Sequence, residues 1–231
     1  MVTGREMDIS IVVPALDEAG QLAAALASAR APGVREIIVV DGGSGDATVS
    51  IARRHADVVL NAARGRATQM NTGAAIARGD VVLFLHADTR LPRGFDAAVL
   101  AALADPATVA GRFDVRLMPN TPLLALVAGL MNLRSRLSRI ATGDQAIFVR
   151  RTIFEAVGGF ESIPLMEDIA LTRALKRRGR IACLREQVET SSRRWRRDGA
   201  LRTILLMWWL RFLYFCGVPP ERLRSRYADT R

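Results

Sequence analysis

Two short runs near the start of the chain, Ile9-Ser-Ile-Val-Val-Pro14 and Glu36-Ile-Ile-Val-Val-Asp41, decide the fold. Both are rich in β-branched residues, and each ends at residues that interrupt strands: a proline in the first, an acid followed by two glycines in the second. Residues 17–30 between them are rich in Ala and Leu, with leucines spaced four apart for one helical face. These features predict a β-α-β unit with two buried parallel strands.

The same alternation of strands and helices continues after the second run. We predict a helix at 48–55, a strand at 57–60, a helix at 67–78 and a strand in Asp80-Val-Val-Leu-Phe-Leu-His86. Alternation at this spacing is typical of a parallel, doubly wound α/β sheet, in which the ligand lies beyond the carboxyl ends of the strands. We therefore expect the functional site in the turns that follow these strands.

The second half of the sequence has a different pattern. It predicts an antiparallel strand, a helix, a strand, two helices and a last, almost wholly apolar helix at residues 107–117, 121–137, 144–150, 151–157, 168–178 and 201–216. No internal repeat or low-complexity linker interrupts this order. We expect one domain over residues 1–199, followed by a basic, aromatic helix and tail over residues 200–231.

Composition is typical of a globular protein, since 50% of the 231 residues are hydrophobic and 24% are charged. The net charge of +10 is concentrated at one end, because residues 191–231 contain ten Arg against three acidic residues. The rest of the chain is almost balanced, so we expect no nucleic-acid partner. Two cysteines are too few for a disulfide framework and the first residues carry no export signal, so we expect a cytoplasmic protein.

Three turns with acidic residues follow the predicted strands: Pro14-Ala15-Leu16-Asp17-Glu18, Asp41-Gly42-Gly43-Ser44-Gly45-Asp46 and His86-Ala87-Asp88-Thr89. Asp41 could accept hydrogen bonds from a base or ribose, while the glycines let a ligand approach the backbone. The alternative is that this turn is only a loop in which Asp46 caps the next helix. The turn lacks the Gly-x-Gly-x-x-Gly spacing of the dinucleotide fingerprint.

His86 and Asp88 flank Ala87 directly after the strongest predicted strand. Both side chains can reach the same side of the turn, where a divalent cation would neutralise a diphosphate. Mg²⁺ and Mn²⁺ bind through one or two carboxylates plus substrate phosphate oxygens, and Mn²⁺ accepts imidazole better than Mg²⁺ does. For His86 the alternative is a hydrogen-bonded residue at a strand end.

Taken in order, these turns and four further motifs resemble the successive motifs of family 2 glycosyltransferases with a GT-A fold. The resemblance spans about residues 8–195 and is close to a bacterial branch of that family. It implies a Rossmann-like α/β fold, with a mostly parallel sheet flanked by helices and a C-terminal apolar helix. The motifs are Ile11-Val-Val-Pro-Ala-Leu-Asp-Glu18, Val40-Asp-Gly-Gly-Ser-Gly-Asp-Ala-Thr48, the segment Gly65–Asp80, Leu85-His-Ala-Asp-Thr89, Gly143-Asp-Gln145, Glu167-Asp168 and Arg193-Arg-Trp195.

The resemblance also implies roles for residues at the donor end of the site. Asp88 would ligate a divalent metal, Mn²⁺ or Mg²⁺, at the family's Asp-x-Asp motif, with His86 in place of the usual first acid. We therefore expect a metal cofactor held by Asp88 and His86. The residues expected to bind the nucleotide are Pro14, Ala15, Glu18, Asp41, Arg66, Gln69 and Ala87.

At the acceptor end, the resemblance implies that Asp168 is the catalytic base, the carboxylate that removes the acceptor proton while negative charge grows on the leaving diphosphate. Adjacent acids at a helix N-terminus also suit the helix dipole, so capping is the alternative for Asp168. For Asp144 and Gln145 the alternative is a simple turn. The residues expected to contact the acceptor are Asp144, Gln145, Glu167, Arg194 and Trp195.

Arg194 and Trp195 resemble the Gln-x-x-Arg-Trp element of processive relatives. The Gln position is Ser191 or Ser192 in either register, so we do not expect processive polymer synthesis.

The sequence thus predicts an inverting, metal-dependent glycosyltransferase that moves a sugar from a nucleotide-sugar donor to an unidentified hydroxyl acceptor, for which a lipid-linked molecule is one candidate. A nucleotidyltransferase is an alternative, but it would need a glycine-rich phosphate loop where this chain has Pro14–Glu18. A non-catalytic nucleotide-sugar or membrane-surface binding protein is a second alternative, and it would tolerate the loss of Asp88 and Asp168.

Residues 203–218 are apolar and aromatic, with Arg211 near the centre. A membrane-spanning helix needs about 20 apolar residues, and a central Arg costs roughly 2.5–3.5 kcal/mol on insertion. With its flanking Arg residues the segment instead predicts an anchor on an anionic membrane, at the inner face of the cell membrane. The alternative is a core or homodimer helix. A second apolar stretch, residues 121–133, is either part of a greasy acceptor site or packed core.

Overall fold

The computed structural model describes residues 7–193 and 199–224. These residues form a mixed sheet with hydrophobic clusters and helices on both faces. The strands are β1 (Ile9–Ala15), β2 (Val34–Asp41), β3 (Val58–Asn61), β4 (Val81–Phe84), β5 (Thr89–Arg90), β6 (Thr108–Met118), β7 (Phe148–Arg150) and β8 (Arg180–Ser191). The helices are α1 (Leu22–Ser28), α2 (Thr48–His55), α3 (Arg66–Ile76), α4 (Phe95–Leu103), α5 (Pro122–Ser138), α6 (Arg151–Ala156), α7 (Glu167–Lys176), α8 (Ala200–Phe215) and α9 (Pro220–Arg224), with a 3-10 turn at Gly143–Gln145.

The strand order in the sheet is β3-β2-β1-β4-β7-β6-β8-β5. The first four of these strands run parallel to one another, which confirms the predicted parallel half. Strand β7 is antiparallel to both of its neighbours, while β8 pairs in parallel with β6 and antiparallel with β5. The turns after β1, β2 and β4 therefore meet at one edge of the sheet.

Both faces of β1 are buried, because its side chains alternate between two hydrophobic clusters. Ile11 and Val13 pack with α1, α4 and α5, and Val12 packs with α3 on the other face. Helix α3 lies close to the sheet because Gly73 faces Val12 and Val40, leaving no room for a Cβ atom. This close packing fixes the turns after β1 and β2 relative to the N-terminus of α3.

In the second half the sequence located α5 well but missed β8. Helix α5 begins after Thr121, whose side chain accepts a hydrogen bond from the backbone N–H of Leu124. Strand β8 exposes several of its charged residues, so its hydrophobic alternation is weak. The strand predicted at 144–150 is wrong at its start, because residues 143–145 form the 3-10 turn and only Phe148–Arg150 joins the sheet.

Residues 200–224 pack against the rest of the described chain. Leu210 of α8 and Leu223 of α9 are buried in one cluster with Ile140, Leu165 and Ile169. The division expected at residue 199 stays a prediction, and the helix that follows this residue packs against the rest of the described chain. In the described ranges, no helix combines the length and the apolar character needed to cross a membrane.

Candidate active site

A cavity of about 1050 Å³ lies at the carboxyl ends of β1 and β4. One side is formed by the turns after these strands, the 3-10 turn and the start of α7, and the other side by α5 and α8. The structure thus brings donor-end and acceptor-end residues from the sequence analysis together. Those lining the cavity are Pro14, Glu18, Arg66, His86, Ala87, Asp88, Asp144, Glu167 and Asp168.

Other predicted site residues lie behind the cavity wall or outside the described chain. Ala15, Asp41, Gln69 and Gln145 are buried and do not line the cavity. Gln145 completes the 3-10 turn, since its side-chain oxygen accepts a hydrogen bond from the backbone N–H of Thr142 (3.2 Å). The expected acceptor contact of Gln145 is therefore not supported by its position. Residues 194 and 195, the predicted Arg194 and Trp195 pair, lie outside the described residues.

The carboxylate of Asp41 organises the turn after β2. One oxygen accepts hydrogen bonds from the backbone N–H groups of Gly43 and Ser44 (both 2.9 Å), and the other accepts one from the Ser44 hydroxyl. Gly43 has a φ of 93°, which favours glycine in this tight turn. Asp41 therefore shapes the loop, and its carboxylate does not face the cavity as a free acceptor for a base or ribose.

The turn after β2 is also tied to the turn after β1. Asp46 accepts hydrogen bonds from the backbone N–H groups of Thr48 (2.9 Å) and Ala19 (3.1 Å). The Thr48 hydroxyl in turn accepts a hydrogen bond from the backbone N–H of Glu18 (2.8 Å). Asp46 thus holds both the start of α2 and the turn that carries Glu18, a wider role than the expected helix cap.

Gln69 has a structural position beneath these two turns. Its side-chain amide donates hydrogen bonds to the carbonyl oxygens of Ala15 and Val40, both at 2.8 Å, and the residue has no exposed surface. A Cβ atom on Gly42 would lie 3.1 Å from the same amide nitrogen. Gln69 therefore positions the ends of β1 and β2, and its side chain does not line the cavity.

His86 faces the 3-10 turn. Its Nδ1 lies 3.3 Å from Oδ1 of Asp144, and its Nε2 lies against Gly143, where an added Cβ atom would overlap the ring. Burial would raise the pKa of Asp144, but the hydrogen bond and charge of His86, with the charges of Arg66 and Arg211, lower it. His86 therefore orients Asp144, and neither of its ring nitrogens is placed as the metal ligand that the sequence suggested.

The close approach of His86 to residue 143 requires a glycine there, so replacing Gly143 should destabilise the fold. We expect Gly143→Ala to lower the free energy of unfolding by about 1–3 kcal/mol, because the new methyl group overpacks against His86. Gly129→Ala is the matched control, since a Cβ atom there meets nothing within 4 Å and a helical Ala should instead add about 0.5–1 kcal/mol. Denaturant unfolding of both variants measures the difference, and equal effects would contradict the close approach.

Arg66 at the start of α3 is surrounded by carboxylates. Its Nε lies 3.7 Å from Oε1 of Glu167, a residue that is itself buried. Burial alone would lower the pKa of Arg66, but the charges of Glu167, Asp168, Asp144 and Asp88 raise it. Burial, with the charge of Asp168, raises the pKa of Glu167. Glu167 therefore pairs with Arg66, which remains a firmly held cation in the cavity wall.

Arg193, which the sequence analysis did not single out as a site residue, joins two of the predicted ones. Its Nη2 donates to Oε2 of Glu18 (2.7 Å) and approaches Oδ2 of Asp88 (3.4 Å). The residue follows the end of β8, whose backbone N–H at Ser191 donates to the carbonyl oxygen of Asp88. The sequence marked Arg193 only as the neighbour of the Arg194-Trp195 pair. Because the sequence analysis did not predict β8, it could not show that Arg193 contacts Glu18 and Asp88.

The position of Asp88, but not that of His86, fits the divalent cation that the family resemblance implies. Asp88 lines the cavity and already faces a positive group, the guanidinium of Arg193. Within the part of the chain that the structure describes, no three His, Cys, Asp or Glu side chains form a metal-binding group. Mg²⁺ and Mn²⁺ need only one or two protein carboxylates when phosphate oxygens and water complete the shell. Asp88 fits this requirement, and His86 does not.

Asp168 is held rigidly at the start of α7. Its Oδ2 accepts a hydrogen bond from the backbone N–H of Gly143 and its Oδ1 from that of Ile169, both at 2.8 Å. Met166, which precedes the helix, has a φ of 70°, a strained conformation for a side chain of this size. Such strain is typical of positions where the backbone must aim a functional group, and Asp168 faces the cavity.

The opposite wall of the cavity is apolar. It is formed by one face of α5 and by the first three turns of α8. The predicted apolar stretch at 121–133 thus contributes side chains to the cavity wall as well as to the core. The apolar side chains that line the wall are Val127, Leu130, Met131, Leu133 and Leu137 from α5 and Ile204, Met207 and Trp208 from α8.

A parallel first half, a mixed second half and a cavity at the strand ends define a mixed α/β, GT-A fold. Solved glycosyltransferases are similar to it. A mannosyltransferase, PcManGT from Pyrobaculum calidifontis in complex with GDP-Man and Mn²⁺, has a TM-score of 0.66 and 22% identity, over 80% of this chain and 57% of that one. Residues 1–349 of S. aureus TarS have a TM-score of 0.64 and 18% identity, over 80% of this chain and 61% of that one. The chain thus spans about three fifths of the length of these two relatives.

Another similar structure covers more of both chains. Glucosyl-3-phosphoglycerate synthase from Mycobacterium tuberculosis, in complex with Mn²⁺, UDP and glucosyl-3-phosphoglycerate, has a TM-score of 0.66 and 21% identity over 92% of this chain and 81% of that one. Comparison with curated protein sequences finds no match. The profile described as "Glycosyl transferase family 2" matches residues 10–158. The chain therefore belongs to glycosyl transferase family 2.

Proposed function

We propose that the protein is an inverting glycosyltransferase that uses a nucleotide-sugar donor and a divalent cation, Mn²⁺ or Mg²⁺. The observation that carries the proposal is the single cavity that holds Arg66, Asp88 and Arg193 at the strand ends together with the fixed carboxylate of Asp168. The first group suits a departing diphosphate, and the second suits an acceptor hydroxyl.

At the donor end, the nucleotide would lie against the turns after β1 and β4, where Pro14, Glu18 and Ala87 line the cavity. The diphosphate would face the guanidinium groups of Arg66 and Arg193, which keep their charge at every physiological pH. A divalent cation at Asp88 would supply Lewis-acid neutralisation of the leaving diphosphate. Solved structures of similar fold support this class of donor: two of them bind GDP-Man or UDP together with Mn²⁺, and a third binds UDP-GlcNAc.

At the acceptor end, Asp168 would take the proton of the acceptor hydroxyl. The hydroxyl oxygen then forms a bond to the anomeric carbon as the bond from that carbon to the diphosphate breaks, and the nucleoside diphosphate leaves with the electron pair. Displacement in one step inverts the anomeric centre. Asp144 lies in the same wall, held by His86, where it can accept a hydrogen bond from the acceptor.

Nucleotide binding tests this proposal. We expect one nucleoside diphosphate among UDP, GDP, ADP and CDP to raise the unfolding temperature strongly and only with Mn²⁺, because a ligand of the native state stabilises by RT ln(1 + [L]/Kd). Asp88→Ala should lose the effect of Mn²⁺. Glu155→Ala, which removes an exposed carboxylate far from the cavity, should keep it. A wild-type protein that none of the four stabilises would overturn the proposal.

We also propose that α5 and α8 rest on an anionic membrane surface. Both helices expose large apolar side chains around the cavity, among them Leu126 (61% exposed), Leu205 (67%) and Trp209 (50%). Single exposed apolar residues are ordinary, but two helices with such rows are typical of an interaction surface. The arginines of residues 191–231 supply the positive charge that anionic lipids attract.

Vesicle sedimentation tests the membrane proposal. The wild type should sediment with phosphatidylglycerol vesicles and much less with phosphatidylcholine vesicles, and Leu205→Glu with Trp209→Glu should abolish sedimentation. Neither of these two residues lines the cavity, so the nucleotide-induced shift should persist. Ile76→Glu, at an exposed apolar position on α3, is the matched control. If the double substitution instead converts a dimer to a monomer, a second copy of the chain covers this surface and the membrane proposal fails.

A further inference from the structure

Two arginines stand in the apolar wall of the cavity with incomplete hydrogen bonding. Arg134 is on α5 and Arg211 is on α8, and both line the cavity. Nε and Nη2 of Arg134 and Nε of Arg211 are buried and have no hydrogen-bond partner within residues 7–193 and 199–224. Among the described residues neither side chain forms an ion pair, whereas Arg136, two residues further along α5, pairs with Asp114 at 2.7 Å.

The surroundings of the two guanidinium groups are largely apolar. Both also line a second cavity of about 290 Å³, together with Ile140, Ile169 and Trp208. Burial, with the charge of Arg211, lowers the pKa of Arg134 to about 10, and burial lowers the pKa of Arg211 as well. Two like charges held close together in such a place destabilise the fold, and apolar side chains of similar size would pack there at lower cost. Their position is therefore explained better by a ligand than by stability.

Resting on the proposed function, we propose that Arg134 and Arg211 bind an anionic group of the acceptor, a phosphate or a carboxylate. Guanidinium groups suit both anions, since each can donate two parallel hydrogen bonds to neighbouring oxygens. The leucines of α5 and the aromatic residues of α8 would then hold an apolar body. The acceptor class is thus an amphipathic acid that carries a hydroxyl.

Asp168 lines the same cavity as Arg134 and Arg211, so an acceptor held by the two arginines would lie beside the proposed base. Asp168 interacts with both arginines, because its carboxylate raises the pKa of each against the effect of burial. The acceptor anion would supply the hydrogen-bond acceptors that the buried guanidinium nitrogens lack, leaving the Asp168 carboxylate to accept a proton. The reacting hydroxyl would then lie next to the anionic group. The donor diphosphate has its own cations, Arg66 and Arg193, so the two anions do not compete for one site.

The first measurement uses n-octyl phosphate as the probe with the wild-type chain. It should raise the unfolding temperature, and the shift should add to that produced by the nucleotide and Mn²⁺, because the sites are separate. Octanol and inorganic phosphate should each give a smaller shift, since the first lacks the charge and the second the apolar body. In a separate experiment, vesicles of phosphatidylcholine with phosphatidic acid replace n-octyl phosphate as the probe. Competition between n-octyl phosphate and the nucleotide would overturn the inference, and so would the absence of any shift with n-octyl phosphate.

The second measurement uses Arg134→Met and Arg211→Met. Each should weaken n-octyl phosphate binding at least about tenfold, as loss of a charge-assisted hydrogen bond implies, and should raise the unfolding temperature of the unliganded protein. Arg202→Met, at an exposed position on α8 outside the cavity lining, should change neither. Unaltered n-octyl phosphate binding in both cavity variants would overturn the inference. If either variant fails to fold, the inference that these charges destabilise the fold is wrong.

The two proposals can fail separately. Binding of a nucleotide without binding of n-octyl phosphate would leave the transferase and remove the anionic acceptor. Arginine-dependent binding of n-octyl phosphate without any nucleotide would keep the anion site and overturn the proposed donor. A response to phosphatidic acid vesicles that Arg134→Met abolishes would place the acceptor in the membrane, whereas a response to n-octyl phosphate alone would make it a free acid.

Discussion

Asp168→Asn is expected to lower kcat by about 10²–10⁴-fold, the usual contribution of a general base. The substitution keeps the shape of the side chain and one oxygen, so one of the two hydrogen bonds from Gly143 and Ile169 survives. It removes the group that takes the acceptor proton. Nucleotide binding should be unchanged, because the diphosphate end of the cavity does not depend on this carboxylate.

The assay follows release of the nucleoside diphosphate identified by the binding panel, with and without acceptor. Glu155→Gln, at an exposed carboxylate outside the cavity lining, is the control and should keep wild-type turnover. The unfolding temperature of Asp168→Asn should fall only slightly, since the loss is one hydrogen bond worth about 1 kcal/mol. Near-wild-type turnover in a folded Asp168→Asn variant would contradict the assignment and leave Asp168 as a helix-start residue.

The sequence was sufficient to predict the elements whose signals are local. The β-branched runs that became β1, β2 and β4 and the alternating helices predicted the parallel half. Convergence of the turns followed from topology alone, because parallel strands end at one edge of the sheet. The resemblance to family 2 glycosyltransferases then implied that Arg66, Asp88 and Asp168 share one site, although about a hundred residues separate the first from the last.

What could not be predicted depends on contacts between distant segments. Asp41 faces its own turn because the hydroxyl and the backbone N–H of Ser44 both donate hydrogen bonds to its carboxylate. The conformation of this turn could not be predicted from the sequence. The link from Arg193 to Asp88 depends on the register of β8, a strand whose exposed charged residues hide its periodicity. Arg134 and Arg211 line one cavity because α5 and α8 both contribute to its wall. The local sequence of neither helix predicts that the other helix lies near it.

Chelation of divalent metal is expected to reduce donor turnover at least about 10²–10³-fold, the range typical of losing one stabilising group at a developing charge. Added Mn²⁺ or Mg²⁺ should restore the wild type. Asp88→Asn should remain nearly inactive at any metal concentration, because it removes the carboxylate that we propose as the protein ligand of the metal. Its stability should hardly change, since Arg193 is 54% exposed and keeps its shorter contact, 2.7 Å, with Glu18.

His86→Gln is the discriminating variant for the metal site. If His86 were a ligand, as the sequence suggested, the variant would need far more metal for half-maximal activity. Its ring faces Asp144 and Gly143, so we expect the metal requirement to stay unchanged while the KM for the acceptor rises. A shift in metal requirement equal to that of Asp88→Asn would mean that His86 turns towards the diphosphate when donor binds. Full turnover after chelation would instead mean that Arg66 and Arg193 neutralise the leaving group without a metal.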